Sequence, residues 1–313
     1  MPRSLARSLG STLLGTLLTG ALLGTTCAGT GHAATSKVAP PRTTHTSTGN
    51  IPGTAPGGTA SPQAPPRTTA VDFAGTVALS NCSGAVVRTP QSQPEDPALV
   101  LSNGHCLEGG MPGPGEVVVD RPSTRSFDLL DADGSEVGTV RATKVAYATM
   151  DVTDVSLYQL DTTYQQLEAE YGITALELSA TRPSEGTDIS VVSGYWKRIY
   201  TCSIDGFAHE LHEGDWVWQD SVRYTTPGCE VIGGTSGAPV VDTATGQVVA
   251  VNNTINEDGE ECTLNNPCEV AEDGSVTVRP GVGYAQQTHL LTACVGPGSE
   301  VDLASPECSL PRP

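Results

Sequence analysis

The sequence predicts an all-β protein built as a sandwich or a barrel, and three observations lead to this prediction. From about Val71 onward, short valine-rich runs alternate with turn residues, a pattern typical of antiparallel sheets. Only residues 164–178 lack this pattern of short runs and turns, and they are predicted to form a helical or irregular bridge between two sets of runs. The roughly 225 residues from 71 to 296 can hold two small β units with one shared cleft.

Each predicted strand is a short apolar run that ends at a turn signal. The acidic turn Asp131-Ala132-Asp133-Gly134 is predicted to close a hairpin. A calcium loop is the alternative there, disfavoured because the twelve-residue ligand pattern is absent. The first set of runs covers 75–79, 84–87, 98–101, 117–119, 137–140 and 155–160, and the second covers 189–192, 216–218, 240–241, 248–251 and 276–278.

The first 33 residues have the features of a secretory signal peptide: a basic start, an apolar run at 13–23 and small residues for cleavage after Ala33. The run is short and interrupted, so we expect no membrane association after cleavage. A lipid anchor at Cys27 is the alternative, but the residues before it are a poor lipoprotein signature. Residues 34–70 are rich in Pro, Thr, Ser and Gly and are predicted to be a disordered linker or pro-segment.

Eight cysteines follow the predicted signal peptide. An even number in an exported chain implies disulfides, although sequence alone leaves their connectivity open. A zinc site is disfavoured because no CxxC pair occurs, and we expect neither a metal nor another cofactor. The simplest pairing joins neighbours in sequence: Cys82–Cys106, Cys202–Cys229, Cys262–Cys268 and Cys294–Cys308, the last of which would tie down a C-terminal tail at 297–313.

The net charge of −19 bears on the partners of the chain. An acidic surface repels nucleic acid and anionic membranes, so neither is an expected partner. With the predicted signal peptide and disulfides, this composition indicates a secreted, extracellular protein, which we expect to be a monomer.

Three separate segments supply a histidine, an aspartate and a serine: LSNGHC around His105, TDVSLYQL around Asp154, and GGTSGAP around Ser236. A serine hydroxyl is a weak nucleophile and needs a base within hydrogen-bond reach. Histidine can take that proton, and a buried carboxylate can orient the imidazole and stabilise its cation. We predict these three roles for Ser236, His105 and Asp154. Asp151 is a nearby rival for the last role, but the apolar alternation starts directly after Asp154.

These motifs resemble those of the trypsin/chymotrypsin-like serine proteases, in the same His, Asp, Ser order, over most of residues 71–295. The serine motif is closer to that of bacterial secreted relatives such as the glutamyl endopeptidases. The resemblance implies two antiparallel six-stranded β-barrels of the chymotrypsin-like type, at about 71–165 and 186–292, within a protease domain at 71–296. It also implies an oxyanion hole made by the N–H groups of Gly234 and Ser236. Thr235 stands where digestive members carry an aspartate, so their activation switch is not expected.

The implied activity is hydrolysis of protein or peptide substrates through an acyl-enzyme. Glu230 lies six residues before Ser236, where trypsin-like relatives place the acid of the specificity pocket, and a carboxylate there would attract Lys or Arg. A surface glutamate is the alternative. Asn253 and Thr254 are predicted to lie in the pocket wall.

Functions of other classes remain as alternatives. The first is a non-catalytic binding module that has kept this fold, against which the intact triad motifs argue. The second is a zinc peptidase, because His209 to Glu213 reads HELHE. Its second histidine comes three residues after the first instead of four, which misses the helical register of a zincin. An α/β-hydrolase is disfavoured because the serine motif is not G-x-S-x-G and a strand follows it.

Overall fold

The structure is a computed structural model that describes residues 70–313. The predicted signal peptide, nearly all of the predicted linker and Cys27 lie outside the described residues. None of the helices in residues 70–313 has the length and apolar character needed to cross a membrane.

The first sheet contains a closed barrel of six antiparallel strands. The ring runs β1, β5, β6, β7, β3, β2, and β2 pairs with β1 to close it. Two further strands lie outside the ring: β4 pairs with β6, and β8 pairs in parallel with β2. The strands are β1 Thr76–Ala78, β2 Ser83–Arg88, β3 Pro97–Ser102, β4 Val117–Pro122, β5 Ser126–Leu130, β6 Glu136–Thr149, β7 Val155–Thr163 and β8 Leu176–Glu177.

The second sheet forms another ring of six antiparallel strands, in the order β11, β16, β13, β12, β9, β10, closed by pairing of β10 with β11. A short extension, β14 and β15, continues from β10. The predicted all-β fold of two six-stranded barrels is therefore confirmed. The strands are β9 Asp188–Ser193, β10 Arg198–Glu213, β11 Trp216–Tyr224, β12 Pro239–Asp242, β13 Val248–Ile255, β14 Cys268–Val270, β15 Val276–Val278 and β16 Gly283–Gln287.

Apolar side chains fill each barrel and also the space between the two barrels. Leu99 and Leu157 of the first barrel belong to one buried cluster with Val241 and Val251 of the second. Burial of this kind stabilises by about 25 cal/mol per Å² of apolar surface removed from water. The contact therefore holds the two barrels against each other, and with them the loops that meet at their junction.

The predicted bridge is helical only in its first half. Helix α1, Tyr164–Tyr171, begins with a capping box: the Thr163 side chain accepts from the Gln166 N–H, and the Gln166 side chain accepts from the Thr163 N–H. It ends at Gly172, whose φ of 68° is the left-handed conformation that terminates helices. A second, one-turn helix, α2, covers His289–Thr292, and 3₁₀ turns cover Gly104–Cys106 and Pro297–Ser299.

Strands β5, β8, β10, β14 and β16 were not expected from the apolar runs. The longest, β10, has 16 residues, but its buried positions alternate with charged and polar ones such as Asp205 and His209. A strand of this kind buries alternate side chains without showing a continuous apolar run. The predicted hairpin between β5 and β6 is present, and the Asp131 carboxylate accepts the N–H groups of Asp133 and Ser135 within its turn.

Four disulfides join the eight cysteines in the predicted pairs, Cys82–Cys106, Cys202–Cys229, Cys262–Cys268 and Cys294–Cys308. The last bridge fastens the C-terminal segment to the body of the protein. Beyond it, Leu310 is buried, and the Pro311 carbonyl accepts a hydrogen bond from the Tyr147 hydroxyl at 3.0 Å. The end of the described chain is thus packed against the first barrel.

Candidate active site

His105 lies in the 3₁₀ turn Gly104–Cys106, directly after strand β3. The disulfide from Cys106 to Cys82 ties this turn to the start of β2. Gly104 packs so closely against the Thr149 carbonyl that a Cβ at this position would collide with it. These contacts fix the backbone that carries the imidazole.

Asp154 is fully buried and immediately precedes strand β7. Its Oδ2 lies 2.6 Å from Nδ1 of His105, and its Oδ1 accepts the backbone N–H of His105 at 3.1 Å. An ionised carboxylate only accepts hydrogen bonds, so it directs the ring proton to Nδ1 and leaves Nε2 free to act as a base. Asp151, the rival in sequence, makes no hydrogen bond to the ring within the described residues.

The electrostatic setting keeps the pKa of His105 above its ordinary value of 6.5. Burial lowers this pKa, but the charge of Asp154 and its hydrogen bond to the ring raise it by more, and Glu213 adds to the rise. A raised pKa means that the imidazole holds a proton more strongly once it has taken one. This property suits a general base that must later act as an acid.

Ser236 lies in the turn before strand β12, on the second barrel, and its side chain is partly exposed. Its Oγ donates to the Asn253 carbonyl at 3.3 Å. Within the part of the chain that the structure describes, no hydrogen bond joins this hydroxyl to the His105 ring, although both residues line the same cavity. Such contacts are often long before substrate binds and tighten in the complex.

The loop before Ser236 presents two unused backbone donors. Neither the N–H of Gly234 nor that of Ser236 finds an acceptor among residues 70–313. The Thr235 carbonyl accepts the Ala238 N–H at 3.0 Å, and because a trans peptide points its N–H opposite to its C=O, the Ser236 N–H faces away from this contact. Free N–H groups beside a nucleophile can bind the oxygen that becomes negative during acyl transfer.

Trp196 fixes the orientation of the peptide that carries the Gly234 N–H. Its indole Nε1–H donates to the Gly233 carbonyl at 2.7 Å, so the Gly234 N–H of the same peptide points the other way. The Gly234 carbonyl accepts from the Ser83 hydroxyl at 3.1 Å. Gly234 has φ of 89° and lies against Trp196 and Tyr195, where a Cβ would meet ring atoms at 2.9 Å. Sequence reading gave no signal for the role of Trp196.

The predicted substrate-binding residues fall in two places. Asn253 and Thr254 line the cavity that also contains His105 and Ser236. Glu230 does not line it; its side chain is exposed, and its Oε1 accepts the N–H of Gly228 at 3.0 Å within the same loop. A role for Glu230 in substrate selection stays a prediction.

Glu213, which sequence reasoning did not select, lines the same cavity from the end of strand β10. Its side chain is only 5 % exposed. Oε1 accepts the Asn265 N–H at 2.9 Å, whereas Oε2 has no partner among the described residues. Burial raises the pKa of Glu213 above its ordinary value, and the charge of Asp154 adds to the rise; the Thr254 hydroxyl, the Asn265 N–H and the nearby His105 offset only part of it.

The HELHE segment is part of strand β10 and is not helical. On a strand, residues three apart point to opposite faces, so His209 and His212 cannot share a metal as helical zincin histidines do. His212 instead hydrogen-bonds Glu210 at 2.7 Å. Cys82, Cys106 and His105 also lie close together, but the two sulfurs are bonded to each other and offer no thiolate.

Comparison with known proteins shows which protein family the chain resembles. A sequence profile of the trypsin-like peptidase domain matches residues 82–251, more than half of the chain. No curated protein sequence matches the chain.

Among solved structures, the active form of the Rv3671c protease from M. tuberculosis is 16 % identical, covers 79 % of this chain and 87 % of its own, and has a TM-score of 0.45. The thermostable serine protease AL20 from an extremophilic microorganism is 17 % identical, with coverages of 75 % and 97 % and a TM-score of 0.41. A Glu endopeptidase is 15 % identical, with coverages of 69 % and 85 % and a TM-score of 0.37.

Proposed function

The chain belongs to the family of trypsin-like peptidase domains, and from this premise we propose that it is a secreted serine endopeptidase that works through His105, Asp154 and Ser236. The observation that carries the proposal is one cavity that combines three features. These are an imidazole bound at 2.6 Å to a buried carboxylate, a partly exposed serine, and two unused N–H groups beside that serine.

The reaction begins when the Ser236 hydroxyl turns away from the Asn253 carbonyl and donates its hydrogen bond to Nε2 of His105 instead. As Oγ attacks the substrate carbonyl, its proton moves to Nε2, and the carbonyl oxygen becomes negative beside the N–H groups of Gly234 and Ser236. The Asp154 carboxylate stabilises the imidazolium formed in this step. His105 then gives the proton to the departing amine, which leaves an ester on Ser236.

Water completes the cycle by the same route in reverse. His105 takes a proton from water, the resulting hydroxide attacks the ester, and the acid product leaves as Ser236 regains its proton. Protein or peptide substrates fit this chemistry. The four disulfides support an oxidising, extracellular location.

A serine-directed fluorophosphonate probe tests the proposal on the purified, folded protein. We expect covalent labelling and casein cleavage in the wild type, and loss of both in Ser236→Ala and His105→Ala. Ser184→Ala is the matched control, because Ser184 is exposed and its hydroxyl makes no hydrogen bond among the described residues. Absence of labelling in a folded sample would favour the alternative, a binding module. The observation that favours this alternative is that the Ser236 hydroxyl makes its weak hydrogen bond to Asn253 and, among the described residues, none to His105.

A further inference from the structure

Two buried side chains in the cavity have polar atoms without partners. The first is Glu213, whose Oε2 has none among the described residues. The second is Asn253, which is 3 % exposed and whose side-chain oxygen and nitrogen both lack partners. A buried polar group left unpaired is unfavourable, and more so if it is charged. Unpaired groups of this kind are expected where a ligand completes the hydrogen bonding.

The charge of Glu213 is not compensated by a cation of the protein. Within residues 70–313, no Lys or Arg forms an ion pair with it, and the group whose positive charge lowers its pKa is His105. Glu257 adds another acidic group to the same cavity. The electrostatic field at this position therefore favours a cation from outside the chain.

The rest of the cavity wall is largely apolar. Met111, Met150, Trp218, Ile255 and Leu264 line it around the two polar groups. The Trp218 indole N–H is itself satisfied, since it donates to the Met150 carbonyl at 3.0 Å. The best match to an apolar wall with a carboxylate is a side chain that has an aliphatic stem and a cationic end.

We propose that Glu213 is a specificity-determining residue that receives a lysine or arginine side chain of the substrate near the scissile bond. This inference rests on the proposed protease function. The cationic end hydrogen-bonds Oε2 of Glu213, the stem packs against Met150 and Trp218, and Asn253 supplies further hydrogen bonds. Acidic substrate side chains are repelled at this position. The carboxylate comes from the hairpin between β10 and β11, and not from the Glu230 position.

A peptide library randomised around the scissile bond tests the proposal, read as kcat/KM for the wild type, Glu213→Gln and Glu230→Gln. Glutamine at 213 keeps an acceptor for the Asn265 N–H and removes only the charge. We expect the wild type to prefer Lys or Arg at one position, and Glu213→Gln to lose at least about tenfold of that preference, because a charge-assisted bond is lost. Glu261→Gln is the charge-matched control, since Glu261 is exposed and lies outside the cavity.

Three results would overturn the proposal. The first is a wild type without a basic preference at any position. The second is loss of that preference in Glu230→Gln but not in Glu213→Gln. The third is an equal loss of kcat for all substrates in Glu213→Gln, which would make Glu213 an electrostatic partner of His105. Fluorophosphonate labelling of Ser236 in the same samples separates these failures from failure of the protease function itself: an unlabelled, folded wild type would remove both.

Discussion

Replacement of Trp196 by Phe tests whether a single hydrogen bond holds the proposed oxyanion hole open. The indole N–H of Trp196 donates to the Gly233 carbonyl at 2.7 Å and thereby aims the Gly234 N–H in the opposite direction. The peptide between two glycines can rotate easily, because neither residue has a Cβ to restrict it. Phenylalanine keeps an aromatic ring at this position and removes only the donor.

The expected magnitude follows from the exposure of the bond. Trp196 is 49 % exposed and Gly233 is exposed, so water can take over part of the lost contact. A hydrogen bond of this kind contributes about 0.5–1.5 kcal/mol. Its loss corresponds to roughly a 2- to 12-fold fall in the fraction of molecules whose Gly234 N–H has the required orientation. Complete loss of an oxyanion donor would cost more, about 10²–10³ in kcat. We therefore expect kcat to fall several-fold and KM to change little.

Steady-state kinetics on a chromogenic peptide, with the melting temperature of each variant, measure this effect. Tyr195→Phe is the matched control, because Tyr195 lies beside Trp196 with its ring 39 % exposed. Its hydroxyl makes no hydrogen bond among residues 70–313. The reasoning is refuted if Trp196→Phe leaves kcat unchanged, or if its loss of activity is matched by unfolding at the assay temperature.

Three further predictions concern the imidazole and the disulfide beside it. Asp154→Asn should lower kcat by about 10⁴-fold, because the amide stabilises the wrong tautomer of His105 and no longer stabilises its cation; an intact melting temperature would show that the loss is chemical. In the wild type, log(kcat/KM) should rise with pH through the pKa of His105, which lies above 6.5, since only the neutral ring accepts the serine proton. In Asp154→Asn that acid limb should move to lower pH, and a limb that does not move would contradict the assignment. Replacing both Cys82 and Cys106 by Ala should destabilise the fold by about 3 kcal/mol in urea unfolding, because their 24-residue separation no longer restricts the unfolded chain.

Much of the fold could be predicted because barrel strands alternate and end at turns. The runs around Val100, Val155 and Val248 lie in strands β3, β7 and β13 as expected. Strand β10 was not predicted because its outward positions are charged and its inward positions include small or polar residues. Burial depends on which neighbour covers each position, and a local pattern does not contain that information.

Part of the candidate site could be predicted from the sequence for a different reason. His105, Asp154 and Ser236 each sit in a short motif whose residue types serve local geometry, such as Gly104 against the Thr149 carbonyl. Glu213 and Trp196 have no such local context. Their roles arise from contacts with residues far along the chain, Asn265 for one and Gly233 for the other.

By itself, the sequence determined the strand-rich class, the even set of cysteines and the three residues that could form a triad, because composition and spacing act over short stretches of chain. Only the tertiary structure decided which carboxylates face the cleft. It placed Glu213 inside the cavity and Glu230 outside it, because that choice depends on how two closed barrels pack and on which side chains water can still reach.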